Sequence, residues 1–167
     1  MTRRLVCAVL LAAIGILGGC GFSLQGAGQL PDQMSATYLE TSEPRSEFVT
    51  ALRRVLAARG QPMVANRAQA SAVLRMMQDE SGERILSVSA TGVPEELELF
   101  YTIRFQVRAG NRVLIEDESI TVTRDYRFDP NDILGKRREA QALSEAIVAD
   151  VVNMFLRRLD LLAREPS

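Results

Sequence analysis

Histidine is absent from this chain of 167 residues, and cysteine occurs only twice, at Cys7 and Cys20. The lack of histidine removes the commonest general base, the commonest metal ligand and the side chain that titrates near neutral pH. The sequence also contains no glycine-rich phosphate loop, no nucleophile elbow and no metal-ligand spacing. These absences argue against an enzyme, so we expect no catalytic residue, no metal site and no cofactor in the folded part of the chain.

A strong charge imbalance is missing as well, because 20 Lys and Arg residues are matched by 21 Asp and Glu residues. A chain of this kind offers no broad basic surface for nucleic acid, and we expect no nucleic-acid partner. Any binding of an anionic ligand must therefore come from a local cluster of basic side chains.

The first 19 residues have the pattern of an export signal. Arg3 and Arg4 form a positive start, an apolar run follows from Leu5 to Leu17, and small residues lead into Cys20. The apolar run is shorter than the roughly 20 residues that a membrane-spanning helix needs. A cysteine directly after the predicted cleavage site indicates a bacterial lipobox. The alternative is an ordinary secretory signal followed by a chance cysteine.

The lipobox predicts a signal peptide over residues 1–19 and a covalent diacylglycerol and acyl chain on Cys20. Several acyl chains anchor a protein stably to a membrane, whereas a single chain is marginal. Loss of Cys7 and lipidation of Cys20 leave no thiol for a disulfide or a metal. Removal of 19 residues from 167 leaves 148, enough for one domain with its own core. Because the signal holds two basic and no acidic residues, the remainder has a formal charge of −3.

The mature chain divides into three parts. Residues 20–36 are rich in glycine and serine and predict a flexible tether. Residues 37–164 carry the regular apolar patterns and predict a single domain, and residues 165–167 form a tail. The domain begins with a short strand around Tyr38 and Leu39.

Two helices are predicted. The first begins near Ser46, whose hydroxyl suits an N-cap, and ends at Gly60. The second extends from Ile133 to Arg164, unless Gly135 delays its start, with Asp129 as the expected cap and Pro130 in the first helical position. Its predicted apolar stripe consists of Leu143, Ile147, Val151, Met154 and Leu159.

The strands between the helices follow from apolar alternation. Residues 73–77 and 85–89 predict either two strands or one long strand with a bulge near Ser81-Gly82. The clearest strand covers residues 97–108, where strict period-two alternation indicates one buried and one wet face. A turn at residues 109–111 leads into a return strand over residues 113–124. The predicted fold class is α+β, in the order βαβββα, with two helices packed on one face of a four-stranded, mostly antiparallel sheet.

Five segments of the chain together form a recognisable pattern: Cys20-Gly21-Phe22-Ser23-Leu24-Gln25-Gly26, Leu30-Pro31, Ser87-Val88, Glu96 to Tyr101, and the run from Arg124 to Asp129. In these segments the chain resembles the LptE family of lipopolysaccharide-assembly lipoproteins. The order of elements also matches, so the resemblance covers nearly all of the mature chain. The lipobox alone is shared by all bacterial lipoproteins, but these pieces in this order are more specific.

The resemblance implies a non-enzymatic role in the Gram-negative outer membrane. LptE proteins plug the lumen of the LptD β-barrel, help that barrel assemble, and bind lipopolysaccharide on its way to the outer leaflet. Gly21 follows Cys20 where an aspartate would retain a lipoprotein in the inner membrane, so an anchor on the periplasmic side of the outer membrane is expected. A free-standing periplasmic lipoprotein that binds cell wall or another envelope component is the competing interpretation.

Basic residues near the start of the last helix are the candidate lipopolysaccharide-binding site. Lys136, Arg137 and Arg138 lie where the helix dipole disfavours cations, by about 0.3–1 kcal/mol each. Arg124 and Arg127 lie just upstream and could extend the patch. Arginine suits bidentate contact with phosphate. The competing interpretation is a solvated helix start that acidic neighbours partly neutralise.

Overall fold

The computed structural model describes residues 30–164 of the chain. Its regular elements, in chain order, are β1 (Thr37–Glu40), α1 (Glu47–Ala58), β2 (Ala72–Val88), β3 (Pro94–Ala109), β4 (Arg112–Arg127) and α2 (Ile133–Arg164). The strands form one sheet in the order β1-β2-β3-β4, in which β1 pairs parallel to β2 and the other pairs are antiparallel. The predicted α+β class and the βαβββα order are confirmed.

The alternation along β3 sets the two faces of the sheet. Tyr101, Ile103, Phe105 and Val107 are buried, whereas Arg104 and Arg108 between and beyond them are exposed. Because residues that pair directly across antiparallel strands share a face, the same division extends to β2 and β4. One face carries both helices. The other, which we call the open face, is predominantly polar.

The core joins the two helices to the sheet through three phenylalanines. The ring of Phe155 on α2 lies 5.6 Å from that of Phe48 on α1 and 4.8 Å from that of Phe105 on β3, both edge-on. All three side chains are fully buried. Both helices therefore cover the same face of the sheet, as the sequence predicts.

The predicted apolar stripe of α2 is wrong at one position. Met154 is 39% exposed, whereas Phe155 beside it is fully buried. The helix packs against α1 as well as the sheet, and this second contact buries Val148 and Val152. The buried stripe is therefore wider than a sheet-only contact requires and is centred away from Met154.

The helix starts confirm one predicted cap and correct the other. The Ser46 hydroxyl accepts a 3.1 Å hydrogen bond from the Val49 amide, as predicted. At α2 the cap is Asp132, whose Oδ1 accepts from the Gly135 amide at 3.0 Å. The predicted cap Asp129 accepts instead from the Asn131 amide at 2.8 Å, in a turn that precedes the helix. Asp129 is therefore wrong as the cap, because its carboxylate is engaged one turn too early.

The β2 strand is a single long element, and its register irregularities lie away from the position where a bulge was predicted. The register shifts between Met76 and Gln78 and again after Ile85, so the bulge predicted near Ser81-Gly82 is wrong. Gly82 serves a close contact instead, since a Cβ added there would lie 2.8 Å from Cζ of Phe100. The absence of a side chain at Gly82 thus makes room for the Phe100 ring on the open face.

The folded body begins earlier than predicted. Leu30 and Met34 are 6% and 1% exposed and belong to the core, so residues 30–36 of the predicted tether are part of the folded body. Burial of these two apolar side chains stabilises the start of the folded body. The predicted signal peptide 1–19, Cys20, the rest of the tether and the tail 165–167 lie outside the described residues.

Candidate functional site

The two upstream basic residues of the predicted cluster lie on opposite faces of β4. Arg124 is on the helix face, where its Nη2 lies 2.5 Å from Oδ2 of Asp150 on α2. Arg127 is three residues further along the strand and is exposed on the open face. The structure therefore does not join these two arginines into one patch.

The three cations on α2 differ in their availability. Nζ of Lys136 lies 2.8 Å from Oε2 of Glu139, so this cation is neutralised within the helix. Arg137 and Arg138 are exposed, and none of the ion pairs formed within residues 30–164 includes either of them. These two guanidinium groups are the part of the cluster that is available for an external anion.

The first turns of α2 lie at the same end of the sheet as the β2–β3 turn. The Tyr126 hydroxyl on β4 donates a 2.6 Å hydrogen bond to Glu83 on β2, and the charge of Glu139 on α2 also acts on it. Burial, reinforced by both carboxylates, raises the pKa of Tyr126 to about 12. Beyond Tyr126, the Phe128 amide donates to the Glu95 carbonyl at 2.9 Å, which holds the chain beside the start of β3.

Six exposed apolar side chains surround this end of the molecule. The β2–β3 turn is closed by a 2.8 Å hydrogen bond from the Ser89 amide to the Val93 carbonyl, and Gly92 adopts a left-handed φ of 79°. We define the apolar end as the exposed side chains of the turn and of the helix start: Ile85, Leu86, Val88, Val93, Ile133 and Leu134. Leu134 is the most exposed of them, at 72%.

The apolar end was not predicted from the sequence, although one signal for it exists. In a regular strand the adjacent side chains of Ile85 and Leu86 would point to opposite faces, so a one-sided core could not bury both. Exposed apolar patches commonly mark an interaction site. The apolar end therefore joins Arg137 and Arg138 as a candidate site for a ligand that is both apolar and anionic.

Three carboxylates on β3 and β4 form ion pairs with arginines. Arg104 binds Asp117 through two hydrogen bonds, which lower the pKa of Asp117, and Arg84 pairs with Glu98. Glu118 lies 2.6 Å from Arg158 on α2. These carboxylates serve the fold and its surface, and no set of three or more metal-ligating side chains converges within residues 30–164.

A surface groove of about 590 Å³ lies between the outer sides of α1 and α2. Its floor is apolar, with Ala51, Val55 and Val152, and its rim carries charges of both signs. Among residues 30–164, neither helix is long and apolar enough to cross a bilayer.

Comparison with known proteins identifies the fold. The family model for LptE, described as lipopolysaccharide-assembly, matches residues 34–159. The chain belongs to the LptE family.

Curated relatives include LPS-assembly lipoproteins LptE of Yersinia pestis (strain Pestoides F) and of Yersinia pseudotuberculosis serotype O:1b. Each is 24% identical over 160 residues, which cover 95% of this chain and 77% of the relative. A lipoprotein B structure from Nitrosomonas europaea has a TM-score of 0.68 at 27% identity, covering 84% of this chain and 90% of the other. Rare lipoprotein B from Shewanella oneidensis has a TM-score of 0.63 at 26% identity, with 74% and 92% coverage.

The part of the chain that matches the LptE family contains the candidate site. Residues 34–159 include the whole sheet, the apolar end and all five predicted basic residues. Cys20 precedes the matched range. The family assignment therefore rests on the folded body, and the lipobox at Cys20 stays a prediction from the sequence.

Proposed function

We propose that this LptE-family chain is an outer-membrane lipoprotein that occupies the lumen of an LptD-type β-barrel and binds lipopolysaccharide during delivery to the outer leaflet. The observation that carries the proposal is the apolar end beside Arg137 and Arg138, which form no ion pair within residues 30–164. Lipopolysaccharide combines acyl chains with phosphate groups, so it is both apolar and anionic.

The chemistry of this site is non-covalent. Each guanidinium can donate two parallel hydrogen bonds to a phosphate. Burial of the apolar end against acyl chains contributes about 25 cal/mol per Å² of apolar surface removed from water. We therefore propose that the chain acts by binding and positioning rather than by catalysis.

The open face supports a role inside a barrel. Barrel lumens in outer membranes are polar. The open face offers matching surface, with the Arg104–Asp117 pair, the Arg84–Glu98 pair and a 2.9 Å hydrogen bond between the hydroxyls of Thr102 and Thr121. A polar sheet face of this kind can lie against a polar wall without an apolar contact.

The proposed anchor is Cys20, carrying a diacylglycerol and an acyl chain on the periplasmic side of the outer membrane. Ten residues separate Cys20 from Leu30, the first residue of the described core. An extended segment of that length spans at most about 35 Å, so the folded body would stay close to the membrane surface.

The lipopolysaccharide site is tested by charge reversal with a matched control. The double variant Arg137→Glu and Arg138→Glu should bind purified lipopolysaccharide at least about tenfold more weakly, because a loss of about 1.4 kcal/mol is tenfold in affinity. The control reverses two exposed arginines at the other end of β3 and β4, Arg108→Glu and Arg112→Glu, for the same change in net charge. Equal affinity of the two double variants, with both folded by circular dichroism, would refute the assignment of the site.

A further inference from the structure

Lys136 lies within reach of the same ligand as Arg137 and Arg138. On a helix, residues three or four positions apart are neighbours on the surface. Lys136 and Arg137 are three and four positions from Ile133. Arg138 is four positions from Leu134. Each of the three cations is therefore one helical turn from an exposed side chain of the apolar end.

The ion pair with Glu139 distinguishes Lys136 from the two arginines. Nζ of Lys136 lies 2.8 Å from Oε2 of Glu139, and the side chain of Lys136 is 23% exposed. Arg137 and Arg138 are exposed, and neither belongs to an ion pair formed within residues 30–164. A phosphate can therefore bind both guanidinium groups directly, but it has to displace a carboxylate from the ammonium group of Lys136.

Glu139 is close to the sheet as well as to Lys136. The hydroxyl of Tyr126 on β4 is fixed by its 2.6 Å hydrogen bond to Glu83, and the Tyr126 side chain is 9% exposed. After burial and the hydrogen bond to Glu83, the charge of Glu139 also contributes to the raised pKa of Tyr126. The Lys136–Glu139 pair therefore lies on the side of α2 that faces β4.

We propose that Glu139 sets the affinity of the site for lipopolysaccharide by competing with phosphate for Lys136. This inference rests on the proposed function, because it concerns the same ligand at the same site. While Lys136 is paired with Glu139, a phosphate-bearing lipid gains two cationic contacts instead of three. Hydrogen bonds between charged groups are about twice as strong as neutral ones, so the loss of one such contact lowers the affinity.

A weaker site suits a lipid that has to be handed on. Differences in affinity among variants of one site act mainly on the dissociation rate. A third cation bound to phosphate would prolong the time that the lipid stays on the apolar end. The carboxylate of Glu139 therefore favours release, and it does so without removing any of the apolar surface that contacts the acyl chains.

The same helix offers a matched control at Glu145. This exposed residue accepts a 3.2 Å hydrogen bond from Gln141 and lines the groove between α1 and α2. At about 1.5 Å per residue, Glu145 lies about 14 Å along the helix from Lys136, which exceeds the screening length of about 8 Å at physiological salt. Glu139→Gln and Glu145→Gln each remove one negative charge from α2, so a difference between them is due to position rather than to net charge.

Binding of purified lipopolysaccharide to the full chain, both in non-ionic detergent micelles at physiological salt, tests the proposal. Glu139→Gln should bind about two- to fivefold more tightly than the unsubstituted chain and release the lipid more slowly, because an exposed ion pair is worth up to about that factor. Glu145→Gln should match the unsubstituted chain. Equal affinities of the two variants would overturn the role of Glu139 and leave the proposed function standing, because the unsubstituted chain would still bind the lipid.

A double-mutant cycle separates competition for Lys136 from direct repulsion between Glu139 and phosphate. In a chain that carries Lys136→Met, the further change Glu139→Gln should raise the affinity no more than Glu145→Gln does. A gain as large as that in the chain with Lys136 would contradict the competition. Absence of lipopolysaccharide binding by the unsubstituted chain would instead refute the proposed function, and this inference with it.

Discussion

The Tyr101 hydroxyl on β3 donates a 2.7 Å hydrogen bond to Oδ1 of Asp79 on β2. The hydroxyl oxygen of Tyr101 also accepts from the Phe48 amide at 3.1 Å, and Oδ2 of Asp79 accepts from the Ser46 hydroxyl at 2.5 Å. The first turn of α1 is thereby attached to two strands of the sheet through one phenol and one carboxylate. Because α1 forms part of the helix layer, this network sets where that layer begins.

Removal of the Tyr101 hydroxyl should destabilise the fold. Tyr101→Phe leaves the Phe48 amide and one oxygen of Asp79 without their partner, and an unsatisfied buried polar group costs about 1–3 kcal/mol. Urea unfolding followed by circular dichroism measures the change. Tyr38→Phe, at a half-buried tyrosine on β1, is the control and should shift the midpoint less. Similar midpoints for the two variants would contradict the role assigned to the network.

The raised pKa values of Tyr101 and Tyr126 predict that the fold loses stability at alkaline pH. Burial raises the pKa of Tyr101 well above its usual range and that of Tyr126 to about 12. A phenol with a raised pKa in the folded state is fully stabilising below its unfolded pKa of about 10. Its contribution is lost as the pH rises from there through the folded pKa.

The free energy of unfolding should therefore fall between about pH 10 and pH 12, and Tyr126→Phe should flatten that decline. Urea titrations at several pH values measure the slope. A decline of the same steepness in the Tyr126→Phe variant would show that other groups cause it.

Because Asp132 caps α2 and Asp129 does not, substitutions of these two aspartates should have different effects on the start of the helix. Asp132→Ala removes the acceptor of the Gly135 amide and should weaken the start of α2 by about 0.5–2 kcal/mol. Amide hydrogen exchange at Gly135 and Lys136 should accelerate accordingly. Asp129→Ala disrupts only the preceding turn and should leave these two amides protected. Faster exchange in the Asp129 variant than in the Asp132 variant would restore Asp129 as the cap.

The aromatic contact between the layers predicts the largest single loss of stability. Phe155→Ala removes a fully buried ring that contacts Phe48 and Phe105, and such truncations cost about 3–5 kcal/mol. Arg157→Ala, two residues along on the exposed side of α2, should change the free energy of unfolding by less than about 0.5 kcal/mol. A small effect of Phe155→Ala in chemical denaturation would mean that the core repacks around the gap.

Patterns that depend on local burial were predictable from the sequence. The alternation of β3 and the length of α2 follow from which side chains avoid water, and both agree with the structure. The cap of α2 was not predictable in the same way, because Asp129 and Asp132 are both competent acceptors. The choice between them depends on how the chain leaves β4.

Contacts between distant residues were not predictable from the sequence. Arg124 and Arg127 are three positions apart and were predicted to form one patch, yet the strand turns one towards Asp150 and the other to the open face. The two-residue period of a strand is enough to place these two arginines on opposite faces. The pairing of Arg124 with Asp150 was not predictable, because Asp150 lies 26 residues away in the sequence. The apolar end was not predicted either, because it combines side chains of the β2–β3 turn with side chains at the start of α2, which are distant in the sequence.

Isolation of the full chain from solubilised outer membrane tests the proposed function most directly. The affinity-tagged protein, produced in its own Gram-negative host, should co-purify with a large β-barrel protein that mass spectrometry identifies as LptD-like. The barrel should also fail to accumulate in folded form when the chain is depleted. Recovery of the chain without any barrel protein, with barrel levels unaffected by depletion, would contradict the account and favour a free-standing envelope lipoprotein.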